Sequence, residues 1–379
     1  MRGSGTLPQL FYGPISSARR DDGQFWQRFS LDLAVSNAFN TGMKSADSKR
    51  KIRWGVLGYA RIAREKVIPA IRSARNAEFH AIASRDPAKL EASRTQFNVP
   101  KTYPGYAELL RDPEIDAVYI PLPNSLHREW TLKAAEHGKH ILCEKPIALN
   151  AAEAREMIAA CKANKVTLME AFMYRYTDRT AKVQEILRSE VLGEIKFVSS
   201  NFRFFLNRPG DVRLMRELGG GSLYDVGCYP VNFAGMVADE ITEKPGSAVP
   251  DSVCAECVNI NGVDVLFSAL LKYPSGLVAS LNCGFNAHRR IFSEIVGTKG
   301  LLEIPDTFFD NAGKLFLTMD DKTQEIEVAQ CERYKLEIED FSDALLAKRE
   351  PMFRLSETLR NMEVLDRLFA AAAKKDVLV

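Results

Sequence analysis

Several short stretches of this 379-residue sequence bring together side chains that can move a proton or hold an anion. Glu144-Lys145-Pro146 follows the apolar run His140 to Cys143, and a lysine at a strand end can orient a hydroxyl or stabilise an alkoxide. Gly219-Gly220-Gly221 leads into Ser222 to Asn232, which reads as a glycine-rich turn opening a helix. Asp225, Tyr229 and Asn232 then follow at spacings of four and three, so one helical face presents a carboxylate, a phenol and an amide. A tyrosine acts as acid or base near neutral pH when a neighbouring cation favours its phenolate, and Lys145 is the candidate cation. Taken alone, Tyr229 also reads as a packing residue.

A third group binds rather than reacts. Gly55-Val56-Leu57-Gly58-Tyr59-Ala60-Arg61-Ile62-Ala63 places Gly58, Ala60 and Ala63 at the three small positions of a dinucleotide fingerprint, two of them alanine in place of glycine. Small residues there let the backbone approach a pyrophosphate whose charge the helix N-terminus stabilises. The alternative is an ordinary strand-to-helix turn. Roughly 20 residues further on, where an acidic residue would bind the ribose of NAD, stand Ser84 and Arg85, a hydroxyl and a guanidinium suited to the 2′-phosphate of NADP. Asp86 follows and could still meet a ribose hydroxyl. Pro121-Leu122-Pro123-Asn124-Ser125-Leu126-His127 ends another strand, where open α/β sheets place their ligands. The candidate cofactor contacts are therefore Gly58, Tyr59, Ala60, Arg61, Ile62, Ser84, Arg85, Pro121, Asn124, His127, Glu144, Lys145 and Arg175.

The elements that must carry these groups alternate from Arg53 to Ala171 between short apolar runs and helical patterns, the signature of βαβ units and a parallel sheet. Ile62 to Ala74 reads as one amphipathic helix kinked or limited by Pro69. After Tyr176 strand-type alternation dominates, from Ile195 to Phe205 through Gln324 to Val328, and predicts a predominantly antiparallel sheet. Two amphipathic helices, Arg333 to Lys348 and Ser356 to Ala372, close the chain and are expected to cover a sheet face or return to the first domain. The fold class is α/β: an extension over residues 1–50, a Rossmann dinucleotide-binding domain over 51–172, and an α+β domain with a large open, mostly antiparallel sheet over 173–379.

Composition narrows the partners. Hydrophobic residues at 46% and charged residues at 26% describe a folded chain, and a formal charge of +2 argues against nucleic acid. Seven scattered cysteines read as thiols in a reducing compartment, so the expected location is cytoplasmic. Cys254 and Cys257 lie three apart in an alternating strand, point to opposite faces, and cannot share a metal; none is expected. No run of about 18 apolar residues exists to span a membrane. Arg19-Arg20 is a twin arginine, but Arg28 and Asp32 interrupt the apolar stretch an export signal needs; Met1 to Ser4 resembles an added leader and Met43 is a candidate start.

Together, Gly-x-x-Gly-x-Ala-x-Ile-Ala, Glu144-Lys145-Pro146, Glu170-Ala-Phe-Met-Tyr-Arg175 and Gly-Gly-Ser-Leu-x-Asp225-x-Gly-Cys-Tyr229 resemble, in order, the glucose–fructose oxidoreductase, inositol dehydrogenase and MocA-type family, from about residue 51 onward. The resemblance implies hydride exchange with NAD(P), homodimers or homotetramers through the second sheet, and catalytic roles for Lys145, Asp225 and Tyr229. Many members have histidine at the position of Tyr229; tyrosine is similar to the branch of aldose dehydrogenases, glucose–fructose oxidoreductase, sugar ketoreductases and dihydrodiol dehydrogenases. A sugar is the expected substrate, with Lys145, Arg175, Phe204, Arg208, Asp225, Tyr229 and Asn232 as its candidate contacts. Phe202 and Phe204 are also explained as core residues. If the extension covers the cofactor, as in the glucose–fructose branch, the nucleotide would be retained between turnovers. The alternatives are a ketosugar or anhydrosugar reductase, a trans-dihydrodiol dehydrogenase, and a non-catalytic NADP-binding regulator.

Overall fold

The computed structural model describes residues 50–208 and 210–373, so the expectations for the extension lie outside the described residues. These residues belong to one compact unit, Lys49–Val379. Strands β1 (Ile52–Leu57), β2 (Ala77–Ala83), β3 (Lys101–Tyr103), β4 (Ala117–Ile120), β5 (His140–Glu144) and β6 (Leu168–Ala171) form a parallel sheet in the order β3-β2-β1-β4-β5-β6. The order reverses between β1 and β4, which opens a crevice at their carboxyl ends. Trp54, Val56, Leu57, Val118, Ile120 and Leu142 are fully buried, as a sheet covered on both faces requires. β3 was not foreseen, because its three half-buried residues carry no apolar alternation.

The segment expected as one helix after β1 is helical without a break from Arg61 to Ser73, but within it Ala63–Val67 is a wide π-type turn that runs into α1 (Ile68–Ser73). Pro69 has no N–H with which to bond the carbonyl four residues back, so regular α register cannot run through it, and the wider turn absorbs the mismatch. Helices α2 (Pro87–Phe97), α3 (Tyr106–Leu110), α4 (His127–Glu136), α5 (Ala151–Ala163) and α6 (Asp178–Arg188) follow. Asp86 caps α2, its Oδ1 accepting from the amides of Ala88 at 3.0 Å and Lys89 at 3.4 Å.

The second sheet contains β7 (Ile195–Phe205), β8 (Ser252–Ile260), β9 (Val263–Lys272), β10 (Val278–Gly284), β11 (Asn286–Gly297), β12 (Gly300–Pro305), β13 (Gly313–Met319) and β14 (Lys322–Val328). Its order is β14-β13-β12-β11-β7-β10-β9-β8, antiparallel except for β7 with β10. Asn261-Gly262 and Asp320-Asp321, with positive φ throughout, make the two-residue turns of the β8–β9 and β13–β14 hairpins. Helix α7 (Cys228–Thr242) is buried almost along its length against β7 and β10.

Helices α8 (Arg333–Ala347) and α9 (Leu355–Ala373) end the described chain. α8 returns to the first sheet: Trp54 Nε1 donates to Ser342 Oγ at 3.2 Å, the Trp54 and Phe341 rings lie 5.4 Å apart, and Arg75 pairs with Asp343. α9 packs along α5, α7 and β8. The seven cysteines are free thiols, with Cys254 exposed and Cys257 half-buried. Among the described residues no helix is long and apolar enough to cross a membrane.

Candidate active site

A cleft of about 750 Å³ opens between the carboxyl ends of β1, β4 and β5 and the inner face of the second sheet. Its first wall holds Ala60, Arg61 and Ile62 after β1, Pro121 and Asn124 after β4, and Glu144 and Lys145 ending β5. Gly58 makes the turn with φ +104, and its amide donates to Ala83 O at 2.8 Å. A Cβ there would stand 3.3 Å from Leu122 Cδ2, so only glycine leaves both the turn and the cradle above it open. A small-residue cradle at the switch point, followed by helical N–H groups, fits a pyrophosphate.

The opposite wall is assembled from the glycine turn. Gly219 and Gly221 have φ +76 and +125, and the amides of Gly220 and Gly221 donate to Met215 O and Arg213 O, both at 2.9 Å. Asp264 of β9 grips the next residues, its Oδ2 accepting from Ser222 Oγ at 2.6 Å and from the Leu223 amide at 2.7 Å. A π-type turn, Leu223–Gly227, then delivers Asp225 to the cleft before α7 begins. Lys145 Nζ donates to Asp225 O at 2.6 Å and Oδ1 at 3.2 Å, while Arg213 Nε donates to Oδ2 at 2.6 Å. Burial alone would raise the Asp225 carboxyl, but the two cations hold it below its ordinary range. Burial likewise opposes the Lys145 charge and is the largest single influence on it, but Asp225, Cys228 and Glu144 together outweigh it and leave the ammonium above its usual value.

Tyr229 lines the cleft, with the Lys145 ammonium 5.1 Å from its ring centroid. Its hydroxyl donates to Met173 Sδ at 3.3 Å, and its ring packs against Phe172, Phe202 and Phe308. Burial pushes the phenol well above its ordinary value. This corrects the expectation that Lys145 would favour a phenolate: the ammonium faces the ring and is engaged by Asp225, and the hydroxyl points at a thioether.

Other expected residues divide. Phe204 and Phe202 line the cleft, and Phe202 also stacks on Phe308 at 5.4 Å, so it serves both wall and core. Arg208 is exposed outside the lining. Asn232 is turned into the core, because the wide turn rotates α7 relative to Asp225; its Oδ1 accepts from Tyr174 Oη at 2.6 Å. Arg175 is buried behind it in an ion pair with Glu357 of α9 at 2.6 Å and does not line the cleft. His127 is buried too; its ring nitrogens lie 2.9 Å from Pro146 O and 2.8 Å from Leu122 O, tying together the loops after β4 and β5. Tyr59 lies on the far side of the glycine loop against Gln96 and Phe97. Ser84 and Arg85 stand at the end of β2, with Ser84 Oγ accepting from the Asp86 amide at 3.2 Å and the Arg85 guanidinium 5.8 Å from the Tyr106 ring. Glu144 accepts from Tyr119 Oη at 2.5 Å, and burial raises its carboxyl. Sequence reasoning missed Arg289, Ile291, Phe309 and Tyr334, which complete the far wall from β11, the segment after β12, and α8.

Residues 52–172 match the family described as oxidoreductase, NAD-binding Rossmann fold, and residues 180–303 match the GFO/IDH/MocA C-terminal domain. The chain belongs to the Gfo/Idh/MocA family. It is an NAD(P)-dependent oxidoreductase with the parallel sheet and the large, mostly antiparallel sheet expected of that family. This Gfo/Idh/MocA chain is 35% identical over 325 residues to D-xylose 1-dehydrogenase (NADP⁺) 2 of Haloferax volcanii, covering 84% of this chain and 97% of that protein. It is 35% identical over 259 residues to trans-1,2-dihydrobenzene-1,2-diol dehydrogenase of Xenopus laevis, covering 67% and 75%. The crystal structure of aldose-aldose oxidoreductase from Caulobacter crescentus, complexed with glycerol, superimposes with TM-score 0.78 at 27% identity over 86% of this chain and 98% of that one. A 3-ketoreductase from Actinomadura kijaniata in complex with NADP and TDP-benzene gives TM-score 0.79 at 28% identity over 85% and 98%. The matched family domains end at residue 303, so Phe309 and Tyr334 of this oxidoreductase's cleft come from beyond them.

Proposed function

We propose that this protein is an NADP-dependent sugar oxidoreductase that exchanges hydride between the nicotinamide and an aldose, with Tyr229 as acid/base and Lys145 and Asp225 as its partners. The observation that carries the reading is the Lys145–Asp225 pair beside the Tyr229 ring, in the same cleft as the small-residue cradle after β1. Gly58, Ala60, Arg61 and Ile62 would hold the pyrophosphate, and the loops of Pro121, Asn124 and Glu144 the nicotinamide end. Asp86 is committed to capping α2, which leaves Ser84 and Arg85 to meet a 2′-phosphate and supports NADP over NAD.

The nicotinamide, when bound, supplies the hydride chemistry. Lys145 donates to the substrate oxygen and keeps it oriented, with Asp225 holding the ammonium in place. Tyr229 gives up a thioether, a weak acceptor, for a hydroxyl or carbonyl oxygen. In reduction its proton, retained by burial, goes to the new alkoxide; in oxidation the alcohol gives its proton to a deprotonated Tyr229, which burial makes harder to form. Oxidation therefore gains from rising pH.

The wall made by Phe202, Phe204, Ile291 and Phe309 favours a second reading, a diol on an apolar ring, as the likeness to the dihydrodiol dehydrogenase suggests. The same aromatic faces also suit the C–H face of a sugar. Phe205, Val258 and Leu270, exposed by 67%, 48% and 51%, support association of the second sheet with another copy, as a dimer or tetramer. Free thiols support a cytoplasmic location.

The test is to mix the protein with one equivalent of NADP⁺ and a panel of aldoses while following absorbance of reduced nicotinamide. Absorbance rising with xylose or glucose supports the reading, and a burst without further turnover indicates a retained cofactor. No signal with any aldose, but activity on a cyclic trans-diol or on a ketosugar with NADPH, moves the assignment to those substrates.

A further inference from the structure

The Asp225 carboxylate carries two cations, and the shorter contact to it belongs to the one outside the expected catalytic set, while Lys145 is held at 2.6 Å by the Asp225 main-chain carbonyl. Arg213 Nε lies 2.6 Å from Oδ2, whereas Lys145 Nζ lies 3.2 Å from Oδ1. An unhindered ammonium–carboxylate bond closes to about 2.7–2.9 Å, so the lysine side of the carboxylate is the loose one. Arg213 is anchored in turn by Asp211, whose Oδ1 accepts from its amide at 3.0 Å and its Nη1 at 3.2 Å. The outcome is an alternating row, Asp211, Arg213, Asp225 and Lys145, without net charge. The main chain adds a separate tie: the Gly221 amide donates to Arg213 O, and a Cβ on Gly220 would stand 2.6 Å from that oxygen. One residue thus holds the glycine turn by its carbonyl and the catalytic carboxylate by its side chain.

We propose that Arg213 is a positioning residue for hydride exchange: by occupying Oδ2 of Asp225 it limits the hold of that carboxylate on Lys145 and leaves the ammonium available to the substrate oxygen. The proposal rests on the assignment of Lys145 to that oxygen. Lys145 is faced by Glu144 on its own strand, Asp225, Cys228 and Tyr229 from the turn and α7, Arg213 from the loop before it, Glu170 of β6 and His127 of α4. Among these, Arg213 is a fixed cation close enough to act through the shared carboxylate. Removing it takes away a like charge and frees Asp225 to close on Lys145; both changes strengthen the protonated ammonium, so their effects add.

The experiment uses the full chain and Arg213→Met, with competitive acetylation by acetic anhydride across alkaline pH and exposed Lys162 as internal standard. Mass spectrometry of the Lys145 peptide reads the ionisation of that amine directly. In the variant the midpoint is expected to rise by about one unit, so that Lys145 is labelled about tenfold less at a fixed pH on the rising limb. Arg213→Lys restores the midpoint. The pH profile of kcat for oxidation moves in the same direction, with KM changed less than kcat, a split that a merely loosened turn would not produce. Should Arg213→Met fail to fold, Arg213→Gln, which keeps a donor without the charge, must show the same rise. An unshifted midpoint in a folded variant overturns the proposal. A shifted midpoint in a chain that turns over no substrate refutes the reaction and spares the charge sharing, whereas an unshifted midpoint in an active chain does the reverse.

Discussion

Replacing Tyr229 with phenylalanine separates chemistry from packing unusually cleanly. Among the described residues the hydroxyl has one acceptor, Met173 Sδ at 3.3 Å, while the ring is held by Phe172, Phe202 and Phe308 with centroids 5.3–5.5 Å away. An ordinary hydrogen bond contributes about 0.5–1.5 kcal/mol, and a thioether is a weak acceptor, so the loss belongs at the low end of that range. In a domain of about 150–250 residues 1 kcal/mol moves Tm by about 2–4 °C, and by less in a longer chain such as this one, so the variant should melt within about 2 °C of the parent. Loss of a positioned acid/base costs about 10²–10⁴ in rate, or about 3–5 kcal/mol in activation free energy. The assay is a single-turnover stopped-flow measurement of reduced nicotinamide, paired with a thermal melt and an NADP⁺ titration. A rate within threefold of the parent, with nucleotide affinity unchanged, would remove Tyr229 from proton transfer. A melt lowered by many degrees would show that the hydroxyl is structural.

Three further outcomes follow from the geometry. Glu357→Ala should lose about 3–5 kcal/mol of stability in thermal or urea unfolding, because it strands the buried Arg175 charge, and adding Arg175→Met should recover much of the loss. Arg85→Ala should weaken NADP⁺ at least about tenfold in a fluorescence titration while leaving NAD⁺ nearly unchanged, since a charge-assisted bond contributes about 1.5–3 kcal/mol; equal weakening of both would sink the 2′-phosphate assignment. Burial pushes the Glu170 carboxyl up to about 8, so the native state keeps a proton that the unfolded state releases near the ordinary value of 4.5. Its stabilisation is complete below that lower value and is lost as pH rises toward 8, by about 1.4 kcal/mol per unit, and Glu170→Gln should flatten that slope in urea titrations between pH 5 and 8.

How much was legible depended on whether a residue's role is local. The parallel sheet and its cradle could be read because buried runs such as Tyr119 to Pro121, and a Gly58 whose φ admits little else, leave their mark within a few residues. Lys145 and Asp225 could be singled out because a strand end and a glycine turn announce themselves, although the bond between them joins residues 80 apart. Arg175 misled because nothing near it in sequence reveals Glu357, the partner that takes it into the core. Asn232 misled for another reason: ideal helical spacing was assumed across a segment whose first turn is wide. Tyr334 was invisible since a helix that returns across the whole chain shows its amphipathic face but not its destination.

That return has a consequence for how the molecule comes into being. Trp54, fully buried in β1, is covered by Phe341 and bonded to Ser342, and Arg75 beside β2 waits for Asp343. A ribosome that has released the nucleotide-binding half has therefore made a sheet with one flank still uncovered. Completion of that first sheet has to wait for α8, which is translated after the whole second sheet, so a truncation that removes α8 damages the nucleotide-binding sheet as well as the region cut away.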